Sequence, residues 1–344
     1  MKPINDDDIR WLMEHPLEAR ALLLGDFCLF IRVFHFYMMR DQFILMPFHV
    51  DLAKKLVAYV MGKNEKQNLY MGLSPRAGKS QLIIYFNAFA FGANPYSNFI
   101  YTSYSGDLCV KHSKKIRDIV ESDLFRKIFG IRIDPATSAA NLWKIQSGGE
   151  FRSVPMGGAI TGFGAGTFED HFGGAILVDD FMKADDYRSD AEKQTCIEIF
   201  ENTLKSRKNR PAKDPTIIIA QRLAKDDLVA YIKDKYPDEW DFYVIPAFNE
   251  ETGESFWEDR YPKKWLMDMK EQNPFLFYSQ YQQEPIAQGG GVIKHEWWRY
   301  YSDVNDHPYR RIFITADTAN KTKEWNDYSA IGVWGVTQSR RLRL

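Results

Sequence analysis

Apolar positions along the chain recur with two different periods. Through residues 6–60, Leu, Met and Phe return at helical intervals, and this part is expected to be mainly helical. The stretch from Phe27 to Phe48 is interrupted by Arg32, His35, Arg40 and Asp41, so it reads as buried helix and not as the ~20 apolar residues a bilayer span needs. Beyond residue 60 the pattern changes to short apolar runs, Leu69 to Leu73, Asn98 to Ser103, Gly174 to Val178 and Thr216 to Ala220, which predict buried strands. Helices are expected between them. One covers Lys79 to Ala90, and another covers Asp107 to Glu121 with Cys109, Ile116 and Val120 on one face. A third opens on Ser189 with Glu192 three positions later, a capping-box pattern, and places Cys196, Phe200 and Thr203 or Leu204 together. Asp226 is the expected cap of a fourth, carrying Leu228 and Ile232, and residues 148–166 are glycine-dense strands and turns.

Apolar strands alternating with helices imply an α/β fold, with a mainly parallel sheet and helices on both faces. Pro285 to Gly291 has linker composition, and Arg311 to Ala316 and Ala330 to Val336 read as two strands of a second unit. Two strands cannot bury a core, so this unit is expected to be incomplete. The expected division is a helical region at 1–60, an α/β domain at 61–285, a linker at 286–308 and a partial second domain at 309–344.

Composition narrows the picture only slightly. Of the 344 residues 45% are hydrophobic and 26% charged, and Lys plus Arg (45) balances Asp plus Glu (46) to a net charge of −1. Any contact with nucleic acid must therefore come from a local patch. Cys28, Cys109 and Cys196 are widely spaced without a CxxC pair, which argues against a disulfide framework or zinc site and suits a reducing cytoplasm. No basic segment followed by an unbroken apolar run suggests a signal peptide.

The chemistry concentrates at two places. Ser74-Pro75-Arg76-Ala77-Gly78-Lys79-Ser80 lies between an expected strand and an expected helix. Glycine there lets backbone amides close around phosphates, and a helix N-terminus favours negative charge. Lys79 would reach the β- and γ-phosphates of ATP, and the Ser80 hydroxyl would bind Mg²⁺. The usual pattern has glycine where Leu73 stands, and a Gly-Lys-Ser triplet is also found in ordinary surface turns. The second place is Ala175 to Asp180, where an apolar strand ends in two carboxylates. Ligands of open α/β sheets sit at strand C-termini. Asp179 would hold Mg²⁺ and Asp180 would orient or deprotonate the attacking water, unless both merely cap the following turn.

In these residues and several segments beyond them, the chain resembles the large terminase subunit of tailed phages and prophages. Pro75 to Ser80 is similar to the family's Pro-Arg-x-Gly-Lys-Ser. Tyr101 to Leu108 (YTSYSGDL), Ile160 to Gly166 (ITGFGAG), Trp257 to Pro262 (WEDRYP), Tyr278 to Pro285 (YSQYQQEP) and Gly289 to Tyr301 continue the likeness over roughly residues 45–335. The resemblance implies a P-loop ATPase of the ASCE, RecA-like type that drives double-stranded DNA into a procapsid, followed by the start of an RNase H-like nuclease using Mg²⁺ or Mn²⁺. It implies a portal protein ring and a terminase small subunit as partners, a homo-oligomeric ring on the portal, the host cytoplasm as location and no membrane. Pro75, Arg76, Ala77, Gly78, Lys79 and Ser80 would bind the triphosphate, with Arg76, Lys79 and Asp180 acting in hydrolysis. His49, in Pro47-Phe48-His49, stands where the family contacts adenine, often through Gln. Gln221 and Arg222 follow an apolar strand where the family couples hydrolysis to movement, although only the arginine of the usual Thr-Arg-Trp-His is kept. Asp179-Asp180 replaces the commoner Asp-Glu, one methylene longer at the second acid. Asp317 would be the first nuclease acid and Asp327 a supporting one, both metal ligands.

Other readings share parts of this pattern. A superfamily 2 helicase or recombination ATPase would share both motifs but needs a second RecA-like domain, for which residues 286–344 leave no room. A catalytically dead interaction protein left by prophage decay fits the shortened second domain and the altered coupling motif. For DNA contact, Lys205 to Arg210 is the densest basic run, and Lys114, Lys115 and Arg117 form a weaker set. Lys and Arg also simply occupy helix C-termini. Two-metal cleavage needs several carboxylates. The expectation is that this purified chain does not cut DNA with Mg²⁺ or Mn²⁺, which a plasmid-nicking assay checks.

Overall fold

A computed structural model describes residues 2–286, 309–317, 330–338 and 342–343. The chain divides into two compact units, Met1–Gln288 and Gly289–Leu344. The first begins with four helices, α1 (Asp6–Glu14), α2 (Pro16–Gly25), α3 (Phe27–Met39) and α4 (Pro47–Val60). The α/β part follows as β1 (Asn68–Gly72), α5 (Lys79–Ala93), β2 (Asn98–Ser103), α6 (Gly106–Glu121), α7 (Asp123–Phe129), β3 (Ile133–Ala139), β4 (Leu142–Ile145), β5 (Glu150–Pro155) and β6 (Ile176–Asp179). It continues as α8 (Asp190–Glu198), β7 (Thr216–Ala220), α9 (Leu228–Lys235) and β8 (Trp240–Val244). A two-stranded hairpin, β9 (Phe248–Asn249) with β10 (Glu254–Ser255), and the helices α10 (Lys263–Gln272) and α11 (Pro274–Leu276) end the described part of this unit.

The eight-stranded sheet has the order β3-β4-β5-β2-β6-β7-β1-β8. Its strands from β5 to β8 pair in parallel, and β3 and β4 extend one edge as an antiparallel meander. The strand β7 stands between β1 and β6. Because side chains alternate across a strand, the central strands feed two cores. Leu69, Met71, Phe99, Tyr101, Leu177, Ile217 and Ile219 face one side, packed with aromatics of α3, α5 and α7 such as Phe30, Phe34, Phe86, Phe89 and Phe125. Tyr70, Ile100, Ile176, Val178 and Ile218 face the other, with Cys196, Phe200, Leu204, Val229 and Ile232. The helix α5 buries every residue from Leu82 to Gly92, which is why it is apolar all round instead of striped.

The strand and helix expectations hold within a few residues. The expected cap shifts by one: Asp227, not Asp226, accepts from the Ala230 amide at the start of α9, while Asp226 pairs with Lys193. After α8 the chain widens into a π-turn over Ile199–Leu204, which still carries Phe200 and Leu204 into the core.

In the second unit β11 (Tyr309–Asp317) pairs antiparallel with β12 (Ala330–Thr337), which also pairs with β13 (Leu342–Arg343).

The entry to β6 is fixed by a close backbone approach. Gly174 has φ +118°, and a Cβ there would lie 2.0 Å from the Asn98 carbonyl oxygen. Gly174→Ala is expected to lower unfolding stability by at least about 1–3 kcal/mol, the range for a strained backbone of this kind, as measured by denaturant titration.

Candidate nucleotide site

Residues Leu73 to Gly78 leave the C-terminal end of β1 and turn sharply into α5. Arg76 (φ +61°) and Gly78 (φ +87°) both take left-handed conformations. Ala77 N–H donates to the Ser74 carbonyl at 3.3 Å, closing the turn. The loop is held from outside by three groups. Tyr261 donates its hydroxyl to the Pro75 carbonyl, and Ser74 Oγ donates to the Tyr281 carbonyl at 3.4 Å. The third is His49, at the start of α4. Its Nδ1 accepts from the Met46 amide at 3.1 Å, so Nε2 carries the proton and donates to the Ala77 carbonyl at 2.8 Å. Burial lowers the His49 pKa, which favours this neutral ring. Both ring nitrogens are thereby engaged within the protein, so His49 shapes the loop and has no ring nitrogen left for adenine. A Cβ on Gly78 would lie 2.9 Å from His49 Nε2, which adds a contact reason for glycine to the left-handed one.

The strand β6 delivers its two carboxylates beside this loop. Lys79 Nζ lies 3.1 Å from Asp180 Oδ1 in a largely buried ion pair, so the loop lysine and the strand-end acids share one site. Asp180 has φ +50°, an uncommon conformation for a non-glycine residue. Its backbone is pinned on both sides: its amide donates to the Ile219 carbonyl at 3.1 Å, and its carbonyl accepts from Tyr104 N–H at 2.9 Å. Burial raises the Asp180 carboxyl above its ordinary range, the Lys79 charge opposes this, and Asp179 adds to it. Such a carboxylate is a better proton acceptor than an exposed one.

Asp179 is 2% exposed and differently served. Its Oδ2 accepts from the Tyr101 hydroxyl at 2.7 Å and lies 3.4 Å from His112 Nδ1. Burial alone would raise this carboxyl, but the His112 and Tyr101 contacts outweigh it and hold it below the ordinary range, with Ser80 adding to them from the loop. Asp179 Oδ1 is buried without a partner at hydrogen-bond geometry. The site thus brings together Pro75, Arg76, Ala77, Gly78, Lys79, Ser80, Asp179 and Asp180. Arg76 stands exposed at the crest of the loop.

The residues after β7 are tied to the same place. Gln221 N–H donates to Asp180 Oδ1 at 3.4 Å. Arg222 Nε pairs with the fully buried Asp227 at 2.8 Å, and its amide donates to Gln283 Oε1 at 3.0 Å. The backbone of β11 carries Asp317 at its C-terminal end. Asp327 lies outside the described residues.

Sequence spacing did not single out Tyr101, His112, Tyr261, Gln283 or Asp227. Tyr101 and Tyr261 lie in segments noted for their likeness to a family, Gln283 in a third, whereas nothing along the chain marked His112.

The basic run resolves into internal contacts. Lys205 reaches Glu201 and the Tyr236 hydroxyl, Lys208 donates to Asn68 Oδ1 at 2.8 Å, and Arg210 pairs with the fully buried Asp214 at 2.8 Å. The backbone around them staples the glycine-rich segment, with Ala165 N–H donating to the Arg207 carbonyl and Asn209 N–H to the Ala165 carbonyl. Most of these cations are committed to the fold and not to an open surface.

No family model and no curated protein matches the sequence. Among solved structures, the chain is similar to the large terminase of bacteriophage HK97, at 13% identity and a TM-score of 0.53, over 91% of this chain and 65% of that one. It is also similar to the large terminase of the thermophilic bacteriophage D6E in complex with ADP (12%, 0.42, 83% and 64%). A third is the ATPase domain of the Thermus phage P74-26 large terminase (14%, 0.38, 67% and 93%). The likeness of fold rests on the HK97 protein, of whose length the chain spans a little under two thirds.

Burial lowers the Lys208 pKa to about 8, from an ordinary 10.5. Above pH 8 the unfolded chain then binds a proton that the folded one has released, so this group makes stability rise with pH toward 10.5. Lys208→Met should remove that rise. The expected stability difference between variant and wild type changes by on the order of 1–3 kcal/mol between pH 7.5 and 10, read by denaturant unfolding at each pH.

Proposed function

We propose that this chain is an ATP-hydrolysing DNA-packaging subunit of the large-terminase type. The observation that carries the reading is the convergence of Lys79, at the start of α5, with the two acids ending β6. In an α/β sheet this is the ligand-binding edge. The loop amides and the N-terminus of α5 would surround the β- and γ-phosphates, with Lys79 exchanging Asp180 for phosphate oxygens. Once released, Asp180 would orient the attacking water and take its proton, aided by its raised pKa.

The residues present also fit a divalent cation. Such ions are usually held by one or two protein oxygens together with phosphates and water, and Asp179 offers a buried, unpartnered Oδ1 near Ser80. A bound Mg²⁺ would neutralise charge developing on the phosphates. Gln221, whose amide already contacts Asp180, and Arg222 would pass the change at Asp180 to the loop after β7. On this reading the partners are double-stranded DNA, a portal ring, a small subunit and further copies of this chain, in the host cytoplasm. The second unit would open an RNase H-like nuclease with Asp317 as its first acid. Among the described residues no helix is long and apolar enough to cross a membrane.

DNA-stimulated ATP turnover tests this reading. Wild type is expected to turn over, and Lys79→Ala and Asp180→Asn to lose at least ~100-fold. Equal, negligible Mg²⁺-nucleotide binding by wild type and Lys79→Ala would instead favour an interaction protein without ATPase chemistry.

A further inference from the structure

The helix α6 is locked in rotation by contacts with β4 and β5. Ser153 Oγ donates to the Cys109 carbonyl at 2.9 Å, Cys109 Sγ donates to the Val154 carbonyl at 3.1 Å, and Trp143 Nε1 donates to Ser113 Oγ at 3.1 Å. This lock places the buried His112 edge-on to the Tyr101 ring, with centroids 5.9 Å apart. His112 Nδ1 lies 2.7 Å from the Tyr101 hydroxyl, which lies 2.7 Å from Asp179 Oδ2.

Counting protons fixes the direction of this chain. An ionised Asp179 can only accept, so Tyr101 gives it its single hydroxyl proton. The Tyr101 oxygen can then only accept from His112, which must carry its proton on Nδ1. The relay is His112 Nδ1–H to Tyr101 O–H to Asp179 Oδ2. A phenylalanine at 101 would fill nearly the same space, so packing alone gives no reason for the hydroxyl.

We propose that Tyr101 and His112 are positioning residues that hold Asp179 by one oxygen, leaving Oδ1 as the oxygen presented to the nucleotide-bound cation. This rests on the nucleotide reading above and adds to it the orientation of the cation-facing carboxylate. Partners of this kind, behind a metal-binding group, fix its rotamer, and their loss typically weakens metal binding about 10–100-fold. Both residues reach Asp179 and neither lies in the loop from Ser74 to Ser80, so the effect should appear only when metal is present.

Mn²⁺ serves as probe, with its affinity for the ATPγS-loaded protein measured by electron paramagnetic resonance. Nucleotide affinity in EDTA is measured separately. Tyr101→Phe and His112→Leu are expected to weaken Mn²⁺ binding about 10–100-fold while changing metal-free nucleotide affinity less than about 2-fold. His112→Asn, whose side-chain amide supplies a donor close to the position of Nδ1–H, should remain within about 3-fold of wild type. Should Tyr101→Phe fail to fold, the contrast between His112→Leu and His112→Asn decides alone. Unchanged Mn²⁺ affinity in the folded variants overturns the positioning role, as does a matching loss in EDTA, which would mark general scaffolding. If wild type retains no Mn²⁺ with nucleotide, the nucleotide reading itself falls; if wild type binds and the variants match it, only the present inference does.

Discussion

A buried ammonium is tolerable only with a counter-charge, and the ion pair between Lys79 and Asp180 meets that demand at the C-terminal end of β6. It joins the start of α5, the helix that follows β1, to the end of β6, and in the sheet β7 stands between those two strands. Both ends are set by backbone geometry. The left-handed Gly78 turns the chain so that Lys79 opens the helix, and the left-handed Asp180 turns the strand end back toward it. Removing the lysine charge would leave two adjacent buried carboxylates without a cation, and removing Asp180 would strand the ammonium.

The elements were largely legible because each central strand is buried on both faces. Thr216–Ala220 and Asn98–Ser103 announce themselves by continuous apolar or β-branched character, and their bounds agree with the observed strands. The loop and the paired acids were legible as a Gly-Lys-Ser turn between strand and helix and as a strand ending in two carboxylates, and the structure brings Lys79 and Asp180 together. What stayed hidden depends on contacts between distant segments. His49 could have been a surface residue or a base contact; only its position against Ala77, 28 residues away, shows that it clamps the loop. His112 occupies one of several apolar-facing positions of α6, and nothing in its neighbours indicates Tyr101 and Asp179 across the sheet. The run from Lys205 to Arg210 looks like a surface patch when only its charge is counted. Its acceptors are Asn68, 140 residues away from Lys208, Glu201, one helical turn upstream, and Asp214, immediately downstream, whose complete burial the sequence does not reveal.

Residues 257–283 illustrate the same limit from the other direction. Their aromatic and amide side chains form no pattern that predicts a role, yet Tyr261 and Tyr281 grip the candidate phosphate loop and Gln283 grips the loop after β7. Gln283 does so from a left-handed backbone (φ +62°), so this segment is shaped to its two targets and not merely laid against them.

The helix α4 shows where the molecule does not tolerate trimming. Phe48 packs on Phe256 and Trp257, His49 braces the loop from beneath, and Lys55 pairs with Asp241 on β8 at 2.6 Å. A shortened version beginning at residue 61, where composition would draw a border, forfeits the brace together with its anchorage on the far edge of the sheet. The smallest excisable piece with an intact loop therefore starts upstream of Met46, and α4 is as much a wall of the candidate site as the sheet itself.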